Sequence, residues 1–68
     1  MKGAGLRVSA LRALRERAGL SQKGLAAQVG ISRQQVNRLE NGSYDPYLST
    51  VRSLAQVLGV PLAELVDE

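Results

Sequence analysis

Two consecutive segments of this chain each begin with a serine and end with a glycine, and this spacing constrains the fold more than any other feature. The segments run from Ser21 to Gly30 and from Ser32 to Gly42. A serine directly before a helical pattern can accept hydrogen bonds from the unpaired amides of the first turn. A glycine takes the positive φ that commonly ends a helix. The pattern therefore predicts two short helices, residues 22–29 and 33–41, joined by a tight turn.

The second of these helices is predicted to have an apolar face and a polar face. Val36 and Leu39 form the apolar stripe, and at roughly 100° per residue the polar positions point away from it. The positions that point most directly outward are Gln34, Asn37, Arg38 and Asn41, with Arg33 and Gln35 on the flanks, and none is acidic. Arginine forms paired hydrogen bonds with guanine, and glutamine or asparagine forms them with adenine. The face therefore suits the edges of DNA bases.

Composition limits the chemistry that is available to the chain. Its 68 residues are enough for one small domain, and with 44% hydrophobic residues but no Phe or Trp the core must come from aliphatic side chains. The absence of Cys and His excludes disulfides, thiol nucleophiles, imidazole bases and the usual zinc sites. Glu16, Glu40 and Glu64 fall on three different predicted helices. We therefore expect neither an enzyme nor a bound metal or cofactor.

Charge is unevenly distributed along the sequence. Up to Arg52 the chain has nine basic and three acidic residues, whereas from Ser53 onward it has three acidic residues and no basic one. A basic body suits a polyanionic partner. No apolar run approaches the roughly 20 residues that span a bilayer, and no targeting segment is visible. We expect a cytoplasmic protein of bacterial or phage origin with no membrane partner.

The sequence from about Leu11 to Leu65 resembles the helix-turn-helix domain of phage repressors, Cro proteins and Xre-type regulators. The resemblance implies a compact, all-α, five-helix domain of the lambda-repressor type over residues 6–66, with a flexible arm at 1–5 and a tail at 67–68. Helices 2 and 3 would form the helix-turn-helix. The matching residues are Leu11, Leu14, Arg15, Gly19, Leu20, Ser21, Gln22, Leu25, Ala26, Gly30, Val36, Leu39, Glu40, Asn41, Gly42, Pro46, Leu54, Ala55, Leu58, Gly59, Val60, Leu62, Glu64 and Leu65.

Apolar spacing predicts the remaining helices less sharply. Helix 1 carries Leu11, Leu14 and Ala18 at helical spacing, and it starts either near Leu6 or at Ser9 as cap. Both starts remain open at this point.

Helix 4 is predicted to begin with Asp45 as cap and Pro46 at its first position. It would run to Leu58 and stop at Gly59, and a fifth, short helix would follow from Pro61. The apolar positions of helix 4 are Val51, Leu54, Ala55 and Leu58.

The resemblance also implies roles for individual residues. Base contacts would come from Ser32, Arg33, Gln34, Asn37 and Arg38. Phosphate contacts would come from Gln22, Lys23, Asn41, Ser43 and Tyr44. A partly buried ion pair between Arg15 and Glu40 would tie helix 1 to helix 3, and the dimer interface would use Leu62, Leu65 and Val66.

For several of these residues a role without DNA contact remains open. Gln22 could simply be a solvated helix start, and Tyr44 could pack on a neighbouring helix instead of contacting phosphate. Gly24 is unusual for the resembled family, since glycine inside a helix costs up to about 1 kcal/mol relative to alanine. It either softens the helix locally or lets a phosphate approach closely.

The resemblance implies a sequence-specific regulator of transcription that binds double-stranded DNA. It would be a repressor or controller acting as a homodimer at a palindromic operator. The alternative is an interaction module, either an antitoxin with a toxin partner or a bridging domain that contacts polymerase, in which DNA binding is secondary.

Overall fold

The computed structural model describes residues 5–66 as four α-helices followed by a short 3-10 helix. The α-helices are α1 at Val8–Arg17, α2 at Gln22–Val29, α3 at Arg33–Asn41 and α4 at Leu48–Leu58. The 3-10 helix spans Leu62–Glu64. The all-α prediction and the bounds of α2 and α3 are confirmed. The predicted arm and tail lie outside the described residues, apart from Gly5.

The prediction of a fifth α-helix is wrong, because the chain becomes extended again directly after a single 3-10 turn. Val66 forms an isolated antiparallel bridge with Leu6, and the backbone N–H of Arg7 donates to the carbonyl of Leu65 at 2.7 Å. The side chain of Leu65 is fully buried in the core. The side chain of Leu65 thus closes the core and offers no surface to a partner, which leaves Leu62 and Val66 of the three residues predicted for a dimer interface.

The start of helix α1 is set by contacts with the C-terminal segment. Helix α1 begins at Val8, two residues after Leu6, since Leu6 and Arg7 pair with the C-terminal segment. Ser9 is not its cap; Arg7 occupies the N-cap position without a side-chain cap bond. At the other end of α1, the predicted core residue Ala18 is exposed at the C-cap.

Helix α4 begins later than predicted. Tyr47 is its N-cap, with no side-chain cap bond, so Asp45 is not the cap and Pro46 is not the first helical residue. Pro46 is fully buried. Its ring packs inside the domain, and the chain becomes helical only after it, at Leu48.

The two caps predicted from serine are both present. Ser21 Oγ accepts from the backbone N–H of Gly24 at 2.9 Å. Ser32 Oγ accepts from Gln35 N at 3.0 Å, while Gln35 Oε1 accepts from Ser32 N at 2.9 Å, which completes the capping box. Both helix starts are therefore fixed by hydrogen bonds between residues that are close in the sequence.

The core forms where the apolar faces of the helices meet. Helix α2 packs against α3 and α4, and α1 packs against α3. The buried aliphatic residues are Leu11, Leu14, Leu25, Ala26, Val36, Leu39, Val51, Leu54, Ala55, Leu58 and Leu65. Helix α3 thus buries Val36 and Leu39 and leaves its opposite face uncovered.

Gly30→Ala is expected to lower the free energy of unfolding by about 1 kcal/mol. Gly30 has a φ of 86° in the turn between α2 and α3, and an L-residue pays about 1–2 kcal/mol there, partly offset by a less flexible unfolded chain. Among residues 5–66 no neighbouring heavy atom lies within 4 Å of the added Cβ, so the cost is in the backbone alone. Gly30→Asn is the matched control and should lose less, since asparagine tolerates this conformation. Equal losses in urea unfolding would contradict this account.

Candidate nucleic-acid interface

The outward face of α3 is exposed and has no acidic side chain. Residues predicted to contact bases are all exposed: Ser32, Arg33, Gln34, Asn37 and Arg38. Of those predicted to contact phosphate, Lys23, Asn41 and Ser43 are exposed, while Gln22 and Tyr44 are half-buried. The acidic residue of α3, Glu40, turns inward, and its side chain is only 5% exposed.

Part of the predicted site converges at the starts of α2 and α3. Gln22, Arg33, Gln34 and Asn37 line one shallow surface depression. Gln22 and Arg33 are the first residues of their helices. The positive ends of two helix dipoles therefore flank this depression, which favours an anionic partner.

A buried ion pair fixes the orientation of α3. Arg15 Nε donates to Glu40 Oε2 at 2.5 Å, and Arg15 Nη2 donates to Glu40 Oε1 at 3.2 Å. Arg15 Nη1 also donates to the carbonyl of Leu20 at 2.8 Å. The predicted pair is thus present, and Arg15 joins α1, the turn after it and α3 through one guanidinium group. A bidentate contact of this kind pairs the two charges and also fixes the relative orientation of the two side chains.

The pair shifts both ionisable groups toward their charged forms. Burial alone would raise the pKa of Glu40, but hydrogen bonds from Arg15 and Gln22 and the nearby positive charge together hold that pKa below its ordinary value of 4.5. The hydrogen bond to Glu40 raises the pKa of Arg15 against the opposing effect of burial. Both residues are therefore charged at neutral pH.

The free energy of unfolding should depend on pH through the ionisation of Glu40. A carboxyl group whose pKa is lower in the folded state stabilises the fold above its ordinary value, and this contribution is lost as pH falls through the folded pKa. The unfolding free energies of the natural chain and Glu40→Gln should therefore differ most near pH 6 and converge toward pH 3. Urea unfolding across that range measures the gap. Glu16→Gln, at the exposed Arg12–Glu16 pair, is the control, and a gap for Glu40→Gln that stays constant would contradict the linkage.

Gln22 has a partner that the sequence did not reveal. Its Nε2 donates to Glu40 Oε1 at 3.1 Å and, over a longer distance of 3.4 Å, to Asn37 Oδ1. A phosphate contact from Gln22 would therefore use its backbone N–H or require its side chain to leave Glu40. The crossing of α2 over α3 creates this contact, and residue spacing alone carries no signal for it.

Two further positions are clarified by their neighbours. Tyr44 packs against the hydrophobic core, in agreement with the packing alternative, although this does not test a contact from its hydroxyl. The amide of Gly24 is already bonded to Ser21 Oγ, and an added Cβ at Gly24 would lie 3.2 Å from that oxygen. The close neighbour of Gly24 is thus the cap of its own helix.

Residues 5–66 contain neither a cluster of metal-ligating side chains nor a membrane-spanning helix. No group of three or more Asp or Glu side chains there is arranged to hold a metal ion. No helix in the same range combines the length and hydropathy needed to cross a membrane.

Comparison with known proteins agrees with this geometry. The family model described as helix-turn-helix matches residues 11–65, which include all four α-helices except the start of α1. The chain belongs to the Xre/Cro/C1-type helix-turn-helix family. This family comprises DNA-binding regulators of transcription, among them repressors.

Individual relatives of this Xre/Cro/C1-type chain include phage and bacterial regulators. The cryptic phage CTXphi transcriptional repressor RstR of Vibrio cholerae is 38% identical over 60 residues, covering 88% of this chain and 54% of the repressor. The chain thus spans about half the length of that relative. The uncharacterized regulator y4dJ of Sinorhizobium fredii is 43% identical over 53 residues, covering 78% of this chain and 69% of y4dJ.

Solved structures of other helix-turn-helix proteins have the same fold. The restriction-modification controller protein C.AhdI from Aeromonas hydrophila superposes with a TM-score of 0.81 at 35% identity. The match covers 84% of this chain and 86% of the controller protein. The agreement extends over most of both chains and therefore includes the helix-turn-helix and its supporting helices.

Proposed function

We propose that this chain is a sequence-specific regulator, of repressor or controller type, that binds a palindromic operator as a homodimer with α3 in the major groove. The observation that carries the proposal is the exposed, acid-free face of α3, positioned by the buried pair of Arg15 and Glu40. The major groove is wide enough to admit an α-helix. The repressor and controller among the similar proteins support the same regulatory class.

Base recognition is assigned to the first two turns of α3. Arg33 and Arg38 have the geometry for guanine, and Gln34 and Asn37 carry amides that can pair with bases. Ser32 adds a hydroxyl at the N-cap. All five side chains are exposed on α3 or at its N-cap, and the start of the second helix of the motif is the part that contacts base edges in this type of docking.

Phosphate contacts are assigned to residues that border this face. Lys23 supplies a charge on α2, while Gln22 offers its backbone N–H at the helix start. Asn41, Ser43 and Tyr44 would contact the backbone from the end of α3 and the following loop. These contacts set register and affinity, and they do not distinguish sequences directly.

Dimerisation is assigned to the C-terminal segment. Leu62 and Val66 are half-buried, so each retains some apolar surface after packing on its own core. A two-fold dimer would place the two copies of α3 about 34 Å apart, on successive major grooves. Leu62→Ser and Val66→Ser should shift the sedimenting mass from dimer to monomer while circular dichroism remains helical. A folded variant with unchanged mass would place the interface elsewhere.

DNA binding is tested by selecting bound fragments from random duplexes and by titrating the selected sequence at increasing salt. We expect an inverted repeat and a linear fall of log K with log salt, since each neutralised phosphate contributes a slope of about −0.9. A flat salt dependence, or no enriched sequence, would contradict the proposal.

A further inference from the structure

A line of hydrogen bonds connects the buried ion pair to the outward face of α3. Arg15 donates to both oxygens of Glu40, Gln22 donates to Glu40 Oε1, and the same Gln22 nitrogen lies 3.4 Å from Asn37 Oδ1. Glu40 is nearly inaccessible to solvent, whereas Asn37 is exposed. A charge fixed in the interior is thus connected to one of the residues assigned to base recognition.

The chemistry of these groups fixes which of them donates and which accepts each hydrogen bond. The ionised carboxylate of Glu40 only accepts hydrogen bonds, so Gln22 must present its NH2 group and not its oxygen to Glu40. The second hydrogen of that NH2 group is then directed at Asn37, whose side chain can accept it only through Oδ1. The NH2 group of Asn37 is left to point outward.

We propose that Gln22 is a positioning residue that makes Asn37 act as a hydrogen-bond donor in base recognition. The inference rests on the proposed function, because it concerns how α3 distinguishes bases. A donor group suits the O6 and N7 acceptors of guanine and the O4 acceptor of thymine. It opposes the exocyclic amino group of cytosine, and at adenine it can bond only to N7 beside the opposing N6 amino group, whereas an asparagine free to turn its amide would pair with adenine through both atoms.

The test compares Gln22→Met with Gln28→Met on the selected operator and on duplexes altered at one base pair. Methionine approximates the length of glutamine without its donor. Gln28 lies exposed on the same helix and, within residues 5–66, makes no side-chain hydrogen bond, so it is the matched control. The position contacted by Asn37 is identified as the one whose base preference disappears in Asn37→Ala.

At that position we expect guanine or thymine in the natural chain. Gln22→Met should shift the affinity ratio toward adenine by about fivefold or more, the lower end for one paired base contact. Gln28→Met should leave the ratio unchanged, and Gln22→Met should add no change of ratio to Asn37→Ala. In the free protein, the Asn37 side-chain amide resonance should move more in Gln22→Met than in Gln28→Met, which tests the contact without DNA.

The contrary outcomes separate this inference from the proposed function. If Gln22→Met weakens all sequences equally, Gln22 only contacts phosphate and the inference is overturned, while the regulator proposal stands. The same holds if Asn37→Ala erases no base preference or if the Asn37 amide resonance does not move. Absence of any sequence preference in the natural chain would overturn both proposals.

Discussion

Replacing Arg15 by methionine is expected to lower the free energy of unfolding by about 3–5 kcal/mol at neutral pH, because Glu40 would keep a buried charge without its partner. The side chains of Arg15 and Glu40 are only 11% and 5% exposed. The variant would also lose the bond from Arg15 to the carbonyl of Leu20. Small domains have a total stability of about 5–15 kcal/mol, so the loss would be a large part of it. Urea unfolding followed by circular dichroism measures it.

The sequence offers a matched control for this prediction. Arg12 pairs with Glu16 at 3.8 Å on the surface of the same helix, with side chains 67% and 58% exposed. Arg12→Met should cost no more than about 0.5 kcal/mol, as is usual for an exposed helical pair. Adding Glu40→Leu to Arg15→Met should recover much of the loss, since the stranded charge is removed. Similar losses for Arg12→Met and Arg15→Met would show that burial of the pair has no energetic consequence.

The second large effect is expected on DNA affinity. Arg33→Ala and Gln34→Ala should each weaken binding to the selected operator by about 1–3 kcal/mol and leave binding to unrelated duplexes nearly unchanged. Both residues are exposed at the start of α3, where the depression with Gln22 and Asn37 lies. Fluorescence anisotropy at fixed salt, with specific and unrelated duplexes side by side, gives the two affinities.

Two controls separate base contacts from charge. Arg17→Ala removes an exposed arginine of α1 that lines a depression with Glu64, beside the C-terminal segment, and it should leave specific binding unchanged. Lys23→Ala should weaken all duplexes alike and reduce the salt slope by about 1. If Arg33→Ala instead behaves like Lys23→Ala, Arg33 contacts phosphate and not a base.

The central part of the fold could be predicted because its signals are local. Ser32 and Gln35 form their capping box within four residues, and Gly30 and Gly42 have positive φ for reasons that lie in their own backbone. Local signals of this kind do not depend on which element packs where. The bounds of α2 and α3 therefore followed from the sequence.

The errors occur where distant segments meet. The pairing of Leu6 with Val66 sets the start of α1. The same pairing keeps the chain after the 3-10 turn extended, so no fifth α-helix forms. Pro46 is buried inside the domain, and α4 begins only after it. None of these contacts has a signature in residue spacing.

The candidate site divides in the same way. The acid-free face of α3 follows from helical periodicity, so its members could be named in advance. The contact of Gln22 with Glu40 could not, because it depends on how two helices cross. It changes the interpretation of Gln22 from a plain phosphate contact to a residue whose side chain is engaged inside the domain.

Insertion of α3 into DNA is tested by recording amide resonances of the isotopically labelled protein with and without its selected duplex. Insertion of α3 into the major groove predicts that the largest shifts fall on residues 32–38 and on the start of α2, in a one-to-one ratio of protein chain to half-site. Shifts concentrated on α1 and the C-terminal segment, with α3 unaffected, would contradict the account.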